Sequence, residues 1–141
     1  MPTHSLKPST PKLDRVIHDI DAGDYKIPAF QRGFVWKLEQ VLELLDSIYL
    51  DYPIGSILLW NTSLKMKYQR NLGGFLLPER KPQYPVNYVL DGQQRLSSLY
   101  AVFGANSVID GTKDELNADP KLFDIYFDMD EHKFIHYSSL D

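Results

Sequence analysis

Between Tyr88 and Phe103 the hydrophobic pattern changes its period across two residues. Tyr88-Val89-Leu90 is a short β-prone run, and Asp91-Gly92 interrupts it. From Gln93 onward Leu96, Leu99, Tyr100 and Phe103 recur at the spacing of one helical face. A strand is thus joined to a helix by two residues. The strand needs a sheet beside it, and the helix needs a surface on which to bury its apolar face.

The rest of the chain supplies both. Thr10-Pro11 reads as an N-cap followed by proline at the first helical position, and Gly23 as the stop. Leu13, Val16, Ile17 and Ile20 form the apolar stripe between them. Tyr25-Lys26-Ile27 is a short strand closed by Pro28. A second helix carries Leu38, Val41, Leu42, Leu45, Ile48 and Tyr49 on one face, and Pro53 ends it. Ser56–Trp60 is a continuous apolar run, expected to be a strand buried on both faces. Residues 61–86 are basic and broken by Gly and Pro, either a flexible loop or a pair of weak strands. Gly104 stops the third helix, 105–120 is a polar linker, and Phe123–Asp128 with Lys133–His136 makes a closing hairpin around Met129–His132.

This order predicts a mixed α+β fold rather than a regular doubly wound sheet. Residues 1–9 read as a Pro/Ser/Thr-rich flexible arm, and 10–141 as a single domain that forms the N-terminal part of a longer protein. With 43% apolar residues in 141, a core of useful size is available.

Charge and cysteine content narrow the function. Nineteen acidic and 15 basic residues give a net charge of −4, so any nucleic-acid contact needs a local basic patch. There is no cysteine, which excludes disulfide scaffolds, thiol nucleophiles and cysteine metal sites. No stretch has the ~18–20 apolar residues of a spanning helix, and no signal peptide is visible. A cytoplasmic protein without membrane contact is expected. His4, His18, His132 and His136 show no metal-site spacing, and the last two are expected at the surface. Neither a Walker loop nor a dinucleotide fingerprint is present.

Asp91-Gly92-Gln93-Gln94-Arg95 is the strongest local signal. A helix start offers free N–H groups and a positive dipole end, and Gly92 lets a ligand approach the backbone. Arg95 can fork onto a phosphate. Gln93 and Gln94 can donate to phosphate oxygens, Asp91 can hold magnesium or orient a water, and Ser97 adds a hydroxyl one turn along. The same residues also fit a plain capping box, with Asp91 as N-cap and Gln94 three residues on. Both readings stand at this level. Ile27–Trp36 mixes Arg32 with Phe30, Phe34 and Trp36, so it suits base stacking and phosphate clamping, or a loop that plugs the core. Gly55-Ser56 can present N–H groups or merely turn, and the Lys65–Lys81 stretch can touch a nucleic-acid backbone or stay solvated.

Taken together, four segments resemble one family. They are Ile27-Pro-x-Phe-Gln-Arg-x-Phe-Val-Trp36, Leu45-Asp-Ser-Ile48, Tyr52-Pro-Ile-Gly-Ser-Ile-Leu-Leu-Trp60 and Tyr88-Val-Leu-Asp-Gly-Gln-Gln-Arg-Leu96. The family is the large prokaryotic one marked by the DGQQR motif. It forms the N-terminal half of GmrSD-type, modification-dependent restriction enzymes and occurs in related phage-defence proteins. The resemblance implies a fold like the ParB N-terminal domain and sulfiredoxin, a mixed sheet with packed helices. It implies a nucleoside triphosphate with Mg2+ as ligand, bound by Gln31, Arg32, Gly92, Gln93, Gln94, Arg95 and Ser97. Asp91, Gln94 and Arg95 are then the catalytic residues, with Asp91 on the metal. It also implies a C-terminal HNH-type nuclease half or partner subunit and contact with DNA; separately, the aromatic excess can cover the interface of a homo-oligomer. No His-Asn-His pattern lies in the chain, so no DNA cleavage is expected from it alone. The alternatives are a non-catalytic ParB-like DNA-binding module and a protein-interaction adaptor.

Overall fold

The computed structural model describes residues 6–69, 71–72, 75–77, 80–104 and 120–140. It is a mixed α+β structure in which three helices pack on a four-stranded mixed sheet, with two small two-stranded sheets beside it. The helices are α1 (Leu13–Asp21), α2 (Leu38–Tyr49) and α3 (Gln93–Phe103). The strands are β1 (Tyr25–Pro28), β2 (Leu58–Thr62), β3 (Tyr68–Gln69), β4 (Asn71–Leu72), β5 (Phe75–Leu76), β6 (Val86–Asp91), β7 (Ile125–Asp128) and β8 (Lys133–His136).

The main sheet runs β2-β6-β1-β3. β6 is antiparallel to β2 and parallel to β1, pairing Lys26 with Tyr88 and Trp60 with Tyr88. β3 adds antiparallel to β1, with Ile27 opposite Gln69. On one sheet face, Ile27, Val89, Leu59 and Ile57 meet Val41 and Leu45 of α2 and Leu96, Tyr100 and Ala101 of α3. On the other face Tyr88 is fully buried, and its hydroxyl donates to the Leu64 carbonyl (2.7 Å) while accepting from Met66 N–H (3.0 Å). Tyr100 of α3 donates its hydroxyl to Asp21 Oδ1 of α1 at 2.7 Å. The β7–β8 hairpin lies against α2, where Tyr49, Phe127 and Phe134 cluster, with 5.0 Å between the Tyr49 and Phe127 ring centroids.

Several expectations need correction. α1 starts at Leu13 behind an extended Lys12, so Thr10-Pro11 does not cap it. Ser56–Trp60 is not buried on both faces: β2 is an edge strand beginning at Leu58, and Leu58 and Trp60 are 42% and 40% exposed. Phe103 is exposed rather than inward. His136 is buried, with Nε2 at 2.7 Å from the Lys121 carbonyl, whereas His132 is at the surface. α2 stops at Tyr49, ahead of Pro53. The pair of weak strands in 61–86 is present as β4 and β5, and the same stretch gives β3 to the main sheet. Of the predicted linker at 105–120, residues 105–119 lie outside the described residues, and Pro120 belongs to a 3-10 turn, Pro120–Phe123.

Candidate functional site at the start of helix α3

Asp91 is the last residue of β6 and still pairs with Leu58 of β2. Gly92 therefore takes the N-cap position, with φ +90° and ψ 15°. A left-handed turn here reverses the chain from strand into helix within one residue, which favours glycine. Space demands it as well: a Cβ at this position would stand 2.9 Å from Ile57 Cγ1 and 3.2 Å from the Ser56 carbonyl oxygen. The capping-box reading fails for the same reason. Asp91 is still in the sheet, no side chain caps α3, and the Gln94 side chain points to another segment. The first N–H groups of α3, on Gln93, Gln94 and Arg95, thus open the helix without a side-chain partner.

The two glutamines fasten the segment that follows β1. Gln93 is buried and donates from Nε2 to the Arg32 carbonyl at 2.9 Å. Gln94 donates to the Gly33 carbonyl (3.2 Å) and accepts at Oε1 from the N–H groups of Val35 (2.9 Å) and Trp36 (3.2 Å). The fastening runs both ways, because Gln31 donates to the carbonyls of Val89 (3.0 Å) and Leu90 (3.3 Å) at the end of β6. Gln69 of β3 donates to the Gln31 carbonyl at 2.5 Å. Nothing in the sequence marks Gln69 for this task, since it sits inside the basic stretch with no pattern around it.

Arg95 reaches the third segment. Its Nη1 donates to the Ser56 carbonyl at 2.7 Å, and its guanidinium lies over Gly55. A Cβ on Gly55, whose φ is +89°, would come within 2.9 Å of Cζ. The Ser56 carbonyl is thus taken by a side chain of the protein.

The structure therefore brings Gln31, Arg32, Asp91, Gly92, Gln93, Gln94 and Arg95 to one junction. Arg32 and Asp91 are exposed there, and no hydrogen bond or ion pair holds either side chain among the described residues. Gln93 and Ser97 are closed off from solvent; Ser98, next to Ser97, donates to the Gln94 carbonyl at 2.8 Å. The basic stretch is dispersed: Lys65 lies over the Tyr84 ring, and Arg80 donates to the Asp21 carbonyl at 3.2 Å. Among the described residues no group of three or more His, Asp and Glu gathers as a metal site. A magnesium ion here would rest on the single carboxylate of Asp91 and on ligand phosphates, a donor set that this metal accepts.

Fold and junction define a mixed α+β domain in which two loops are bound to one helix start, with an arginine and an aspartate left outward. The chain belongs to the family of the GmrSD restriction endonuclease N-terminal domain, whose model matches residues 13–140. That membership points to a component of a restriction or phage-defence system. The chain is also 33% identical, over 113 residues, to an uncharacterized protein of Methanocaldococcus jannaschii. The match takes in 76% of this chain and 19% of that relative, so the chain spans about a fifth of its length. No solved structure matches the chain. Among the described residues no helix is long and apolar enough to cross a membrane.

Proposed function

We propose that this domain binds a nucleoside triphosphate with Mg2+ at the α3 junction, hydrolyses it, and passes the nucleotide state to a nuclease half or partner subunit that acts on DNA. The carrying observation is the convergence of two separate loops, the one after β1 and the 55–56 turn, on an uncapped helix start that has arginines beside it. The helix start and Arg95 cradle the phosphates. Arg32 adds a second cation from the facing loop. Asp91 holds Mg2+ against the phosphates. A water then attacks the γ-phosphorus while the β–γ bridging oxygen leaves, and the two arginines offset the charge that gathers on the phosphoryl oxygens. Gln93 and Gln94 act through the loop they hold, since their amides already bond its backbone. Arg95 is bonded to the 55–56 turn, and a phosphate that competes for this bond frees the turn, which is then the means by which nucleotide state reaches a partner.

Titration calorimetry with ATP, GTP, CTP and UTP, each with Mg2+, tests this reading, and phosphate release tests turnover. Arg32→Ala is the cleaner variant, because Arg32 is exposed and Arg95 also ties down the 55–56 turn. Binding of at least one triphosphate, weakened about tenfold or more in Arg32→Ala, is expected. Absence of binding to all four overturns the proposal.

A further inference from the structure

The loop after β1 carries three aromatic side chains with different fates. Phe34 is buried and meets Phe123 edge-on, with ring centroids 5.1 Å apart. Trp36 packs against the same core. Phe30 is 74% exposed. A single exposed apolar residue is ordinary on a protein surface. Phe30 differs in how firmly the backbone around it is held. Ala29 N–H donates to the Lys67 carbonyl (2.8 Å), and Gln31 N–H donates to the Pro28 carbonyl (3.1 Å), closing a turn around Phe30. The Gln31 side chain then reaches Val89 and Leu90. Phe30 is therefore presented to solvent on a turn that is bonded on both sides.

The end of β6, to which the Gln31 side chain is bonded, is apolar and open as well. Leu90, whose carbonyl receives Gln31, is 39% exposed, and Leu58, the partner of Asp91 across the sheet, is also open. Leu90 is three residues before Gln93, at most about 11 Å along an extended backbone. The ribose and phosphates of one nucleotide bridge such a span. Arg32 stands two residues beyond Phe30, on the same loop.

We propose that Phe30 is the stacking platform for the base of the nucleotide whose phosphates occupy the α3 junction, with Leu90 beside it. The proposal rests on the phosphate-site reading above. Every base has a π-face, so a phenyl platform supplies affinity without choosing the base. Selection among the four bases is left to other groups.

The test compares nucleoside triphosphates with inorganic tripolyphosphate, each with Mg2+, on wild-type protein, Phe30→Ala and Phe30→Tyr. Phe30→Ala is expected to weaken every triphosphate that binds by about tenfold and to leave tripolyphosphate unchanged, while Phe30→Tyr keeps the affinity. Thermal unfolding of Phe30→Ala should match wild type, because the side chain buries little. Unchanged nucleotide affinity in Phe30→Ala overturns the platform and leaves the phosphate site standing. So does equal affinity of wild-type protein for tripolyphosphate and nucleotides. If wild-type protein binds neither, the phosphate site fails and the platform fails with it.

Discussion

Gln94→Leu removes the amide that joins α3 to the 33–36 segment while roughly keeping the side-chain volume. Three hydrogen bonds disappear: one to the Gly33 carbonyl and two from the N–H groups of Val35 and Trp36. Each is worth about 0.5–1.5 kcal/mol net. The bond to Val35 is exposed, and its N–H can return to water, so it counts at the low end. The expected loss of stability is about 2 kcal/mol. With a urea slope of about 2 kcal/mol per molar for a domain of this size, the midpoint falls by about 1 M. Gln94→Glu keeps the acceptor for both N–H groups and loses only the donor to Gly33, so its loss should be about half as large. Amide hydrogen exchange gives the local readout, with protection at Val35 and Trp36 falling in Gln94→Leu. A midpoint shift below about 0.3 M, with unchanged protection at both amides, refutes the role of Gln94 as the fastening between helix and loop.

Gly92→Ala forces an L side chain into φ +90° and against Ile57 and Ser56. Strain and overpacking, less the entropy gained by restricting the unfolded chain, give a loss of about 3 kcal/mol, measurable in urea; a loss under about 1 kcal/mol counts against the packing described. Tyr100→Phe removes the hydroxyl bond to Asp21 and should cost about 1–2 kcal/mol by the same measurement. Burial, and then the bond to Asp21, raise the Tyr100 pKa well above the ordinary 10.0. A raised folded-state pKa stabilises fully below pH 10 and loses that contribution as pH climbs further. Stability profiles above pH 10 should therefore drop for wild type and less for Tyr100→Phe.

The parts that were legible in sequence are those that leave a periodic trace. The stripes Leu13-Val16-Ile17-Ile20 and Leu96-Leu99-Tyr100 mark α1 and α3 because a helix repeats its buried face every 3.6 residues. The alternation of Phe123–Asp128 marks β7, and Lys133–His136 is readable as the strand that pairs with it. Ser56–Trp60 misled because a continuous apolar run looks the same whether the strand is central or, as here, at an edge with Leu58 and Trp60 partly open. β3 has two residues, too few for any period to show. The junction itself was half legible. Asp91–Arg95 and Gln31-Arg32 stood out as residue types in need of a reason. Their fastening did not, because a side-chain amide bonding a backbone 59 residues away obeys no spacing rule. The capping-box pattern at Asp91 and Gln94 was present in the letters and absent in the fold. Asp91 is still held by β2, so the cap moves one residue on.

That shift bears on the chemistry proposed for Arg95. With Gly92 as the cap, Arg95 becomes the third helical residue, and its guanidinium crosses to Ser56 rather than standing free. One donor is then committed to a carbonyl at 2.7 Å, and the remaining donors of the fork are available to an anion. A phosphate that drew both Nη groups would compete with Ser56 for Nη1. The 55–56 turn leads directly into β2 and is held to α3 through this bond, so such competition would loosen the turn only while the anion is bound. A ligand shifts a conformational equilibrium only through a difference in its contacts with the two states. Arg95 offers such a difference, whereas the amides of Gln93 and Gln94, spent on backbone in the structure as it stands, serve to keep the opposing loop in register.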